Sequence, residues 1–261
     1  MRTHRSVLLI ALAAVVAVAP RIEGQSTTAW QWSGTLGAGR TVYVRNVNGT
    51  IRVTPGTGRT VEVVATKRAR RGDADAVRIE GRMAGAGNGD VLICALWGPD
   101  ARCDEKSYRG GSNRRGTDVS VELVVKVPAD AKVTASTVNG SLELTDIGGD
   151  VEAATVNGSI AARSLKGSVE ASTVNGSIKA QGAAVGDGVR YSSVNGSITI
   201  TLPEATAAEL DLSTVNGRIT TEHPVTLDGT ISRRRVRATM GRGGPTIKAS
   251  TVNGSVTVKK G

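Results

Sequence analysis

The sequence predicts an all-β chain built as a β-solenoid with coils of about 18–21 residues. Three observations lead there. Val-Asn-Gly occurs seven times, with asparagines at Asn48, Asn139, Asn157, Asn175, Asn195, Asn216 and Asn253. Six copies share a frame of the kind Ser-Thr-Val-Asn-Gly-Ser, and from Asn139 to Asn216 they are spaced by 18, 18, 20 and 21 residues. Between them, apolar and polar residues alternate with the period of a strand. Composition agrees. Phe is absent, Trp and Tyr number three each, and the 33 glycines are about twice the usual share. A narrow core of stacked Val, Ile, Leu and Ala suits such a chain.

The rival architecture is an antiparallel β-meander in which each Asn-Gly makes a two-residue hairpin turn, because Asn-Gly is the strongest short-range hairpin signal. A hairpin, however, does not require Thr-Val before each Asn-Gly. Stacked coils reward such identity, since each Asn amide can bond the next and each Val can pack on its twin.

The elements follow in order. Residues 1–24 read as a signal peptide, with Arg2 and Arg5 before the short apolar run Ser6–Ala19. Residues 25–130 form an N-terminal β region, and 131–261 the regular repeat. Thr41–Val44 and Ile51–Val53 flank the first Val-Asn-Gly as strand, turn, strand, and Thr60–Ala65 is a further strand. Lys67–Gly89 is charged and rich in Gly and Ala, and reads as an exposed excursion. Val91–Leu96 is a strand running into a cysteine loop, Asp104–Gly116 a flexible loop, and Asp118–Val127 a long alternating strand ended by Pro128. From Lys132 onward a second, looser glycine turn falls midway between repeats, at Gly148 and Gly167, so each coil has two corners about nine residues apart. Val151 and Ala153, Ile160 and Ala162, Val169 and Ala171, and Ile178 and Ala180 share one face. Glu152, Arg163 and Glu170 take the other. Glu204–Leu210 is the one short stretch with a hint of helix. The 37-residue gap between Asn216 and Asn253 reads as two coils with one degenerate copy, or as an inserted hairpin near Thr226–Ile231.

At the corners, Asn and Gly are expected to serve backbone geometry. Gly49, Gly140, Gly158, Gly176, Gly196, Gly217 and Gly254 would supply positive φ, and each Asn would bond within the ladder. The Thr or Ser before each Val, from Thr137 to Thr251, would form a hydroxyl row able to bind ice or flat polysaccharide if it faced outward, but Thr155 and Thr173 are in phase with the interior, so a buried or corner role is expected. The matches of these turns to the N-glycosylation pattern are incidental to turn chemistry.

Cys94 and Cys103 are the two cysteines. So close together in an exported chain, they are expected to form a local disulfide around Trp97-Gly98-Pro99 rather than a metal site. The formal charge is +10, and loss of residues 1–24, with three arginines and one glutamate, leaves +8. Lys67, Arg68, Arg70 and Arg71, then Arg114 and Arg115, then Arg233, Arg234, Arg235 and Arg237 are the basic clusters. They are candidate contacts for an anionic polymer or for lipid head groups. No dedicated nucleic-acid motif is present.

Catalytic chemistry is sparse. His4 lies in the signal and His223 precedes Pro224. No nucleophile motif, zinc motif or phosphate loop occurs, and no cofactor is expected. Asp146, Asp150, Asp187 and Asp211 form no recognisable carboxylate pair, which leaves a polysaccharide lyase or hydrolase as the minor reading.

The repeated frame, the segment Asp90–Trp97 with its second cysteine Cys103, and the ending Arg237–Pro245 before the last repeat resemble a bacterial family of β-strand-repeat proteins. The function of that family is unknown, and it is grouped as candidate adhesins. The resemblance spans roughly residues 35–261 and implies an envelope or secreted β-solenoid with no catalytic residues to carry over. The expectation is an exported, extracytoplasmic, non-enzymatic scaffold or binding module with an envelope, polysaccharide or surface partner. A polyanion-binding envelope-stress accessory protein is the alternative. No membrane span is expected once the signal is removed.

Overall fold

The computed structural model describes residues 27–111, 118–182, 188–227, 232 and 234–261. The predicted signal peptide, Arg114, Arg115, Asp187 and Arg233 lie outside the described residues. The described chain is all β, with 3-10 turns at Ala74–Ala76 and Ala86–Asn88 and no α-helix.

Its strands run in chain order as β1 (Thr27–Thr35), β2 (Thr41–Arg45), β3 (Ile51–Pro55), β4 (Thr60–Arg71), β5 (Val77–Ala84) and β6 (Asp90–Trp97). Next come β7 (Arg102–Cys103), β8 (Tyr108–Arg109), β9 (Asp118–Val127), β10 (Lys132–Asn139), β11 (Leu142–Thr145), β12 (Val151–Asn157) and β13 (Ile160–Arg163). The last ten are β14 (Val169–Asn175), β15 (Ile178–Gln181), β16 (Val189–Asn195), β17 (Ile198–Leu202), β18 (Ala208–Asn216), β19 (Ile219–Thr221), β20 (Val225–Leu227), β21 (Arg235–Met240), β22 (Thr246–Asn253) and β23 (Val256–Lys260).

Two sheets hold nearly all of them. Sheet A runs β1-β4-β9-β3-β11-β13-β15-β17-β23-β19, and sheet B runs β20-β21-β18-β22-β16-β14-β12-β10-β2-β6-β5. Each Val-Asn-Gly turn carries the chain from a strand of sheet B to a strand of sheet A. One such pair of strands is called a rung below. Neighbouring rungs pair in parallel and in register, so Val133 lies beside Val151, Val151 beside Val169, and Val169 beside Val189. The turns are therefore not hairpin turns, because β10 and β11 belong to different sheets. This excludes the antiparallel meander. Both sheets also run unbroken across residue 130, since β10 pairs with β2 and β11 with β3.

Strand alternation builds the core between the sheets. Val133, Val151, Val169, Ile160, Ile178 and Ile198 are all buried, while Glu152, Glu170 and Arg163 face outward. Burying an aliphatic side chain of this size contributes about 1.5–3 kcal/mol. Among the small inward residues Ala153, Ala171 and Ala249 stands Tyr191, fully buried, beside Ala171 and Ala249. Its hydroxyl has no hydrogen-bond partner among the described residues, and burial pushes its pKa upward. A buried unpaired hydroxyl costs about 1–3 kcal/mol. Tyr191→Phe is therefore expected to stabilise the fold by about 1 kcal/mol, read as a higher urea midpoint with an unchanged m-value.

Spatial order departs from chain order at the C-terminus. β22 pairs in parallel with β16 on one side and β18 on the other, and β23 lies between β17 and β19. The last rung is thus nested between two earlier ones. The long gap between Asn216 and Asn253 holds an antiparallel hairpin, β20 with β21, that covers β18 at the end of sheet B. It contributes no degenerate rung. Glu204–Leu210 holds no helix, and β18 begins at Ala208. At the other end, β4 and β1 run antiparallel beyond β9, and β5 runs antiparallel beyond β6. Lys67–Gly89 is therefore no exposed excursion. It contains the end of β4, both 3-10 turns and all of β5.

The corners explain the repeat. Each Thr or Ser before the Val is buried and donates its hydroxyl to the carbonyl of the glycine in the adjoining rung. Examples are Thr155 to Gly140 and Thr173 to Gly158 at 2.9 Å, and Thr251 to Gly196 at 2.8 Å. The asparagines form a continuous side-chain ladder. Asn157 donates to Asn139, Asn175 to Asn157, Asn195 to Asn175 and Asn253 to Asn195 at 2.8 Å, and Asn216 to Asn253 at 2.9 Å. Asn48 leaves the ladder and donates instead to the Val119 carbonyl at 2.8 Å.

Positive φ is the reason for glycine at Gly49 alone among the seven corners. Elsewhere the reason is close approach. A Cβ on Gly158, Gly176 or Gly196 would lie 1.9 Å from the carbonyl oxygen of the neighbouring corner glycine. The left-handed residue sits at the opposite corner, successively Asp146, Ser164 and Gly182.

Candidate functional site

An aromatic-walled recess lies at the end of the stack formed by β1, β4, β5 and β6. Alternation turns Trp30 and Trp32 of β1 toward β5. Trp32 lies over Gly81, where a Cβ would come within 2.7 Å of its ring and 2.9 Å of Trp30. Glycine at 81 is thus what lets the indoles lie against the strand. Gly72, at φ 82, then lets the chain turn from β4 into the 3-10 turn. Asp73 caps that turn by accepting the Asp75 N–H at 2.9 Å.

Between these elements and the start of the cysteine loop lies a cavity of about 630 Å³. Trp30 and Trp97 line it from different sheets, and Val77 and Ile79 add buried aliphatic surface. Lys67 is 8 % exposed, and its ammonium donates to Asp75 Oδ1 at 3.2 Å and to the Val77 carbonyl at 3.1 Å. Its stem covers the end of the core, and its ammonium is held between Asp75 and the Val77 carbonyl. Asp73 and Arg78 complete the rim. Arg78 is tied to Glu80 at 2.8 Å.

The disulfide braces this end. Cys94 and Cys103 are bonded, nine residues apart in sequence. The loop they close folds over the outer face of sheet B and makes a second small core with Leu92, Leu96, Ala101, Tyr43 and Tyr108. Tyr108 Oη accepts the Trp97 N–H at 3.1 Å, and Trp97 accepts the Gly111 N–H through its carbonyl. Arg45 lies beneath the loop and donates to the Glu105 carbonyl and to Ser136 Oγ. Replacing both cysteines with alanine is expected to cost about 2–3 kcal/mol, read by urea denaturation, because the bridge restrains the unfolded chain.

A larger but open trough of about 870 Å³ runs along the outer face of sheet B. Its charges are segregated, with Glu152 beside Glu170, then Arg190 and Lys248, in consecutive rungs. It contains no tryptophan. Lys132 binds Asp150 at 2.9 Å, and this pair holds the Asp150 carboxyl below its usual range. Beside the trough, the six valines of the repeat frame are exposed in a row, Val174 by 40 %.

The basic residues singled out from the sequence do not converge. Lys67 faces inward and belongs to the cavity. Arg68, Arg70 and Arg71 face outward on β4 of sheet A, with Arg68 3.7 Å from Glu122. Arg235 and Arg237 lie at the other end on β21 of sheet B, with Arg234 in the turn before it, and face Asp211 at 3.2 and 3.9 Å. Asp150 and Asp211 are each bound to a base, and Asp146 stands at a corner. His223 is buried with Nε2 3.1 Å from the Lys259 carbonyl. No cluster of His, Cys, Asp and Glu able to hold a metal is found among the described residues, and no described helix is long and apolar enough to cross a membrane. The tryptophan recess was not legible as a site. Trp30 and Trp97 are far apart in sequence, and Lys67 read as surface charge.

Comparison with known proteins bears on this frame. The Toastrack DUF4097 family model matches residues 40–259. The chain belongs to the Toastrack DUF4097 family. The resemblance drawn from the repeat frame is borne out. The Toastrack match takes in β2 to β23 and all seven Val-Asn-Gly corners. Among solved structures, a candidate cell adhesion protein from Clostridium sporogenes is 11 % identical, with a TM-score of 0.47 over 90 % of this chain and 100 % of its own. A candidate adhesin from Bacteroides fragilis is 14 % identical, with a TM-score of 0.39 over 89 % of this chain and 97 % of its own. A candidate lipid binding protein from Parabacteroides distasonis is 9 % identical, with a TM-score of 0.29 over 88 % of this chain and 96 % of its own. No curated protein matches the sequence.

Proposed function

We propose that this chain is an exported β-solenoid that works outside the cytoplasm as a non-enzymatic, adhesin-like binding module of the cell envelope. The observation that carries the reading is the recess of Trp30 and Trp97, held by a disulfide at one end of a rigid stack of rungs. A disulfide-braced loop suits an oxidising compartment. A rigid, hydrogen-bonded stack presents its end with little loss of conformational freedom on binding. Of the aspartates weighed as catalytic from the sequence, Asp150 binds Lys132 and Asp211 binds Arg235.

The polyanion reading is weaker. Of its three basic clusters, the two with described residues sit on different sheets at opposite ends, and Arg235 and Arg237 face an aspartate. The test is a pull-down of the oxidised chain, from residue 25 onward, on isolated envelope fractions and insoluble polysaccharides at several salt concentrations. Saturable binding that survives 0.5 M salt, without release of soluble sugar, is expected. Absence of binding to every fraction, or steady release of sugar fragments, would overturn the reading.

A further inference from the structure

We infer that the recess at the disulfide-braced end is a saccharide site that takes one or two pyranose rings of a neutral glycan. This rests on the binding-module reading above and names its ligand class. The cavity of about 630 Å³ falls in the size range of small-ligand sites. Its lining includes two indole rings, Trp30 from sheet A and Trp97 from sheet B, and the electron-rich face of an indole attracts polarised C–H groups. The C–H faces of a pyranose ring are of this kind.

The polar groups select further. Two cations, Lys67 and Arg78, and two carboxylates, Asp73 and Asp75, border the same space, so the lining carries no net charge. A polyanion would meet Asp73 and Asp75, and a polycation would meet Lys67 and Arg78. A lipid chain would cover these four groups without offering any of them a hydrogen bond. Hydroxyl groups both donate and accept, so a neutral polyol satisfies donors and acceptors together. Lys67 uses two of its three N–H groups on Asp75 and Val77. The Asp75 side chain is 79 % exposed, and Asp73 gives one oxygen to the turn, so both carboxylates keep acceptor capacity for a ligand.

The site is also pre-formed. The Lys67–Asp75 pair and the Asp73 cap fix the wall that follows β4, and the Tyr108–Trp97 hydrogen bond fixes the wall at the cysteine loop. Nothing in the repeat is needed for it, which separates recognition from the stacked frame.

The experiment screens the oxidised chain against an array of neutral oligosaccharides, comprising β-glucans, mannans, galactans and N-acetylhexosamine oligomers, with tryptophan fluorescence and titration calorimetry on each hit. Binding that shifts the tryptophan emission is expected. Trp97→Ala should weaken it at least about tenfold, and Asp75→Asn about threefold to tenfold, with partial recovery in Trp97→Phe. Asp75→Asn alters an exposed side chain, so it remains informative if Trp97→Ala fails to fold. Envelope binding that persists in both variants, with no oligosaccharide hit, would sink the saccharide site and leave the binding-module reading standing. Loss of all binding by the unmodified chain would sink both. Oligosaccharide binding unchanged by Asp75→Asn and Trp97→Phe would place the sugar elsewhere and overturn this assignment.

Discussion

Gly176→Ala will destabilise the chain by about 3 kcal/mol or more, although the residue lies at a surface corner and leaves every side chain in place. The Cβ would sit 1.9 Å from the Gly158 carbonyl oxygen and 2.5 Å from its carbon. Both are backbone atoms, so no side chain can turn away. That carbonyl already accepts the Thr173 hydroxyl at 2.9 Å, and the Gly176 N–H donates to the Asn195 carbonyl at 3.0 Å. Moving the corner breaks these bonds and pulls Asn175 out of line with Asn157 and Asn195. Urea denaturation compares Gly176→Ala with Gly39→Ala, where nothing lies within 4 Å of the added atom. Gly39 has φ 64, so its substitution carries only the backbone strain of a left-handed position, about 1 kcal/mol. Equal losses at the two sites would refute the steric account.

Removing residues 245–261 will do far more than trim an end. In a stack that follows chain order, losing the last repeat leaves the others paired as before. Here β22 and β23 lie inside the stack, and Ile247, Val256 and Val258 are fully buried. Three such side chains at about 1.5–3 kcal/mol each amount to roughly 5 kcal/mol or more of lost burial. β18 would lose β22, and β16 and β17 would become open edges. Hydrogen exchange measured by mass spectrometry should show rapid exchange throughout β18 to β21 and slow exchange in β10 to β15. Protection of β18 to β21 equal to that of the full chain would contradict the nested order.

Strand positions were legible in the sequence because burial imposes a period of two, and Val151, Ile160, Val169 and Ile178 display it openly. The disulfide was legible from its short spacing. The reason for the corner glycines was not. Chain-local logic pointed to positive φ, whereas the constraint at Gly158, Gly176 and Gly196 is the neighbouring rung's backbone, which no single repeat reveals. The basic run after Ala65 misled for a related reason. Lys67 and Ala69 follow the inward alternation of β4, yet the charge of Lys67 hid that pattern, and its partner Asp75 lies past a turn. The nested last rung left no local trace either, because its Ser-Thr-Val-Asn-Gly-Ser frame fits equally well between any two rungs.

The same physics separates frame from function. Thr, Asn and Gly of each repeat are consumed by contacts with the adjoining rung, and among its described outward side chains the valine row is the large apolar surface. Converging aromatic and charged groups occur instead where the repeat stops, at the end closed by β1, β5 and the disulfide loop.

Cysteine pairs in the exposed valine row test the stacking order most directly. Asn195 is paired with Asn253, and Asn253 with Asn216, so the valine preceding each is its neighbour at the spacing of adjacent strands, about 4.8 Å. Val194 and Val215 are two strands apart. On mild oxidation, Val194→Cys with Val252→Cys, and Val252→Cys with Val215→Cys, should form disulfides readily, while Val194→Cys with Val215→Cys should not. Rapid bridging of positions 194 and 215, with position 252 inert toward both, would mean that the rungs stack in chain order and would overturn the architecture described above.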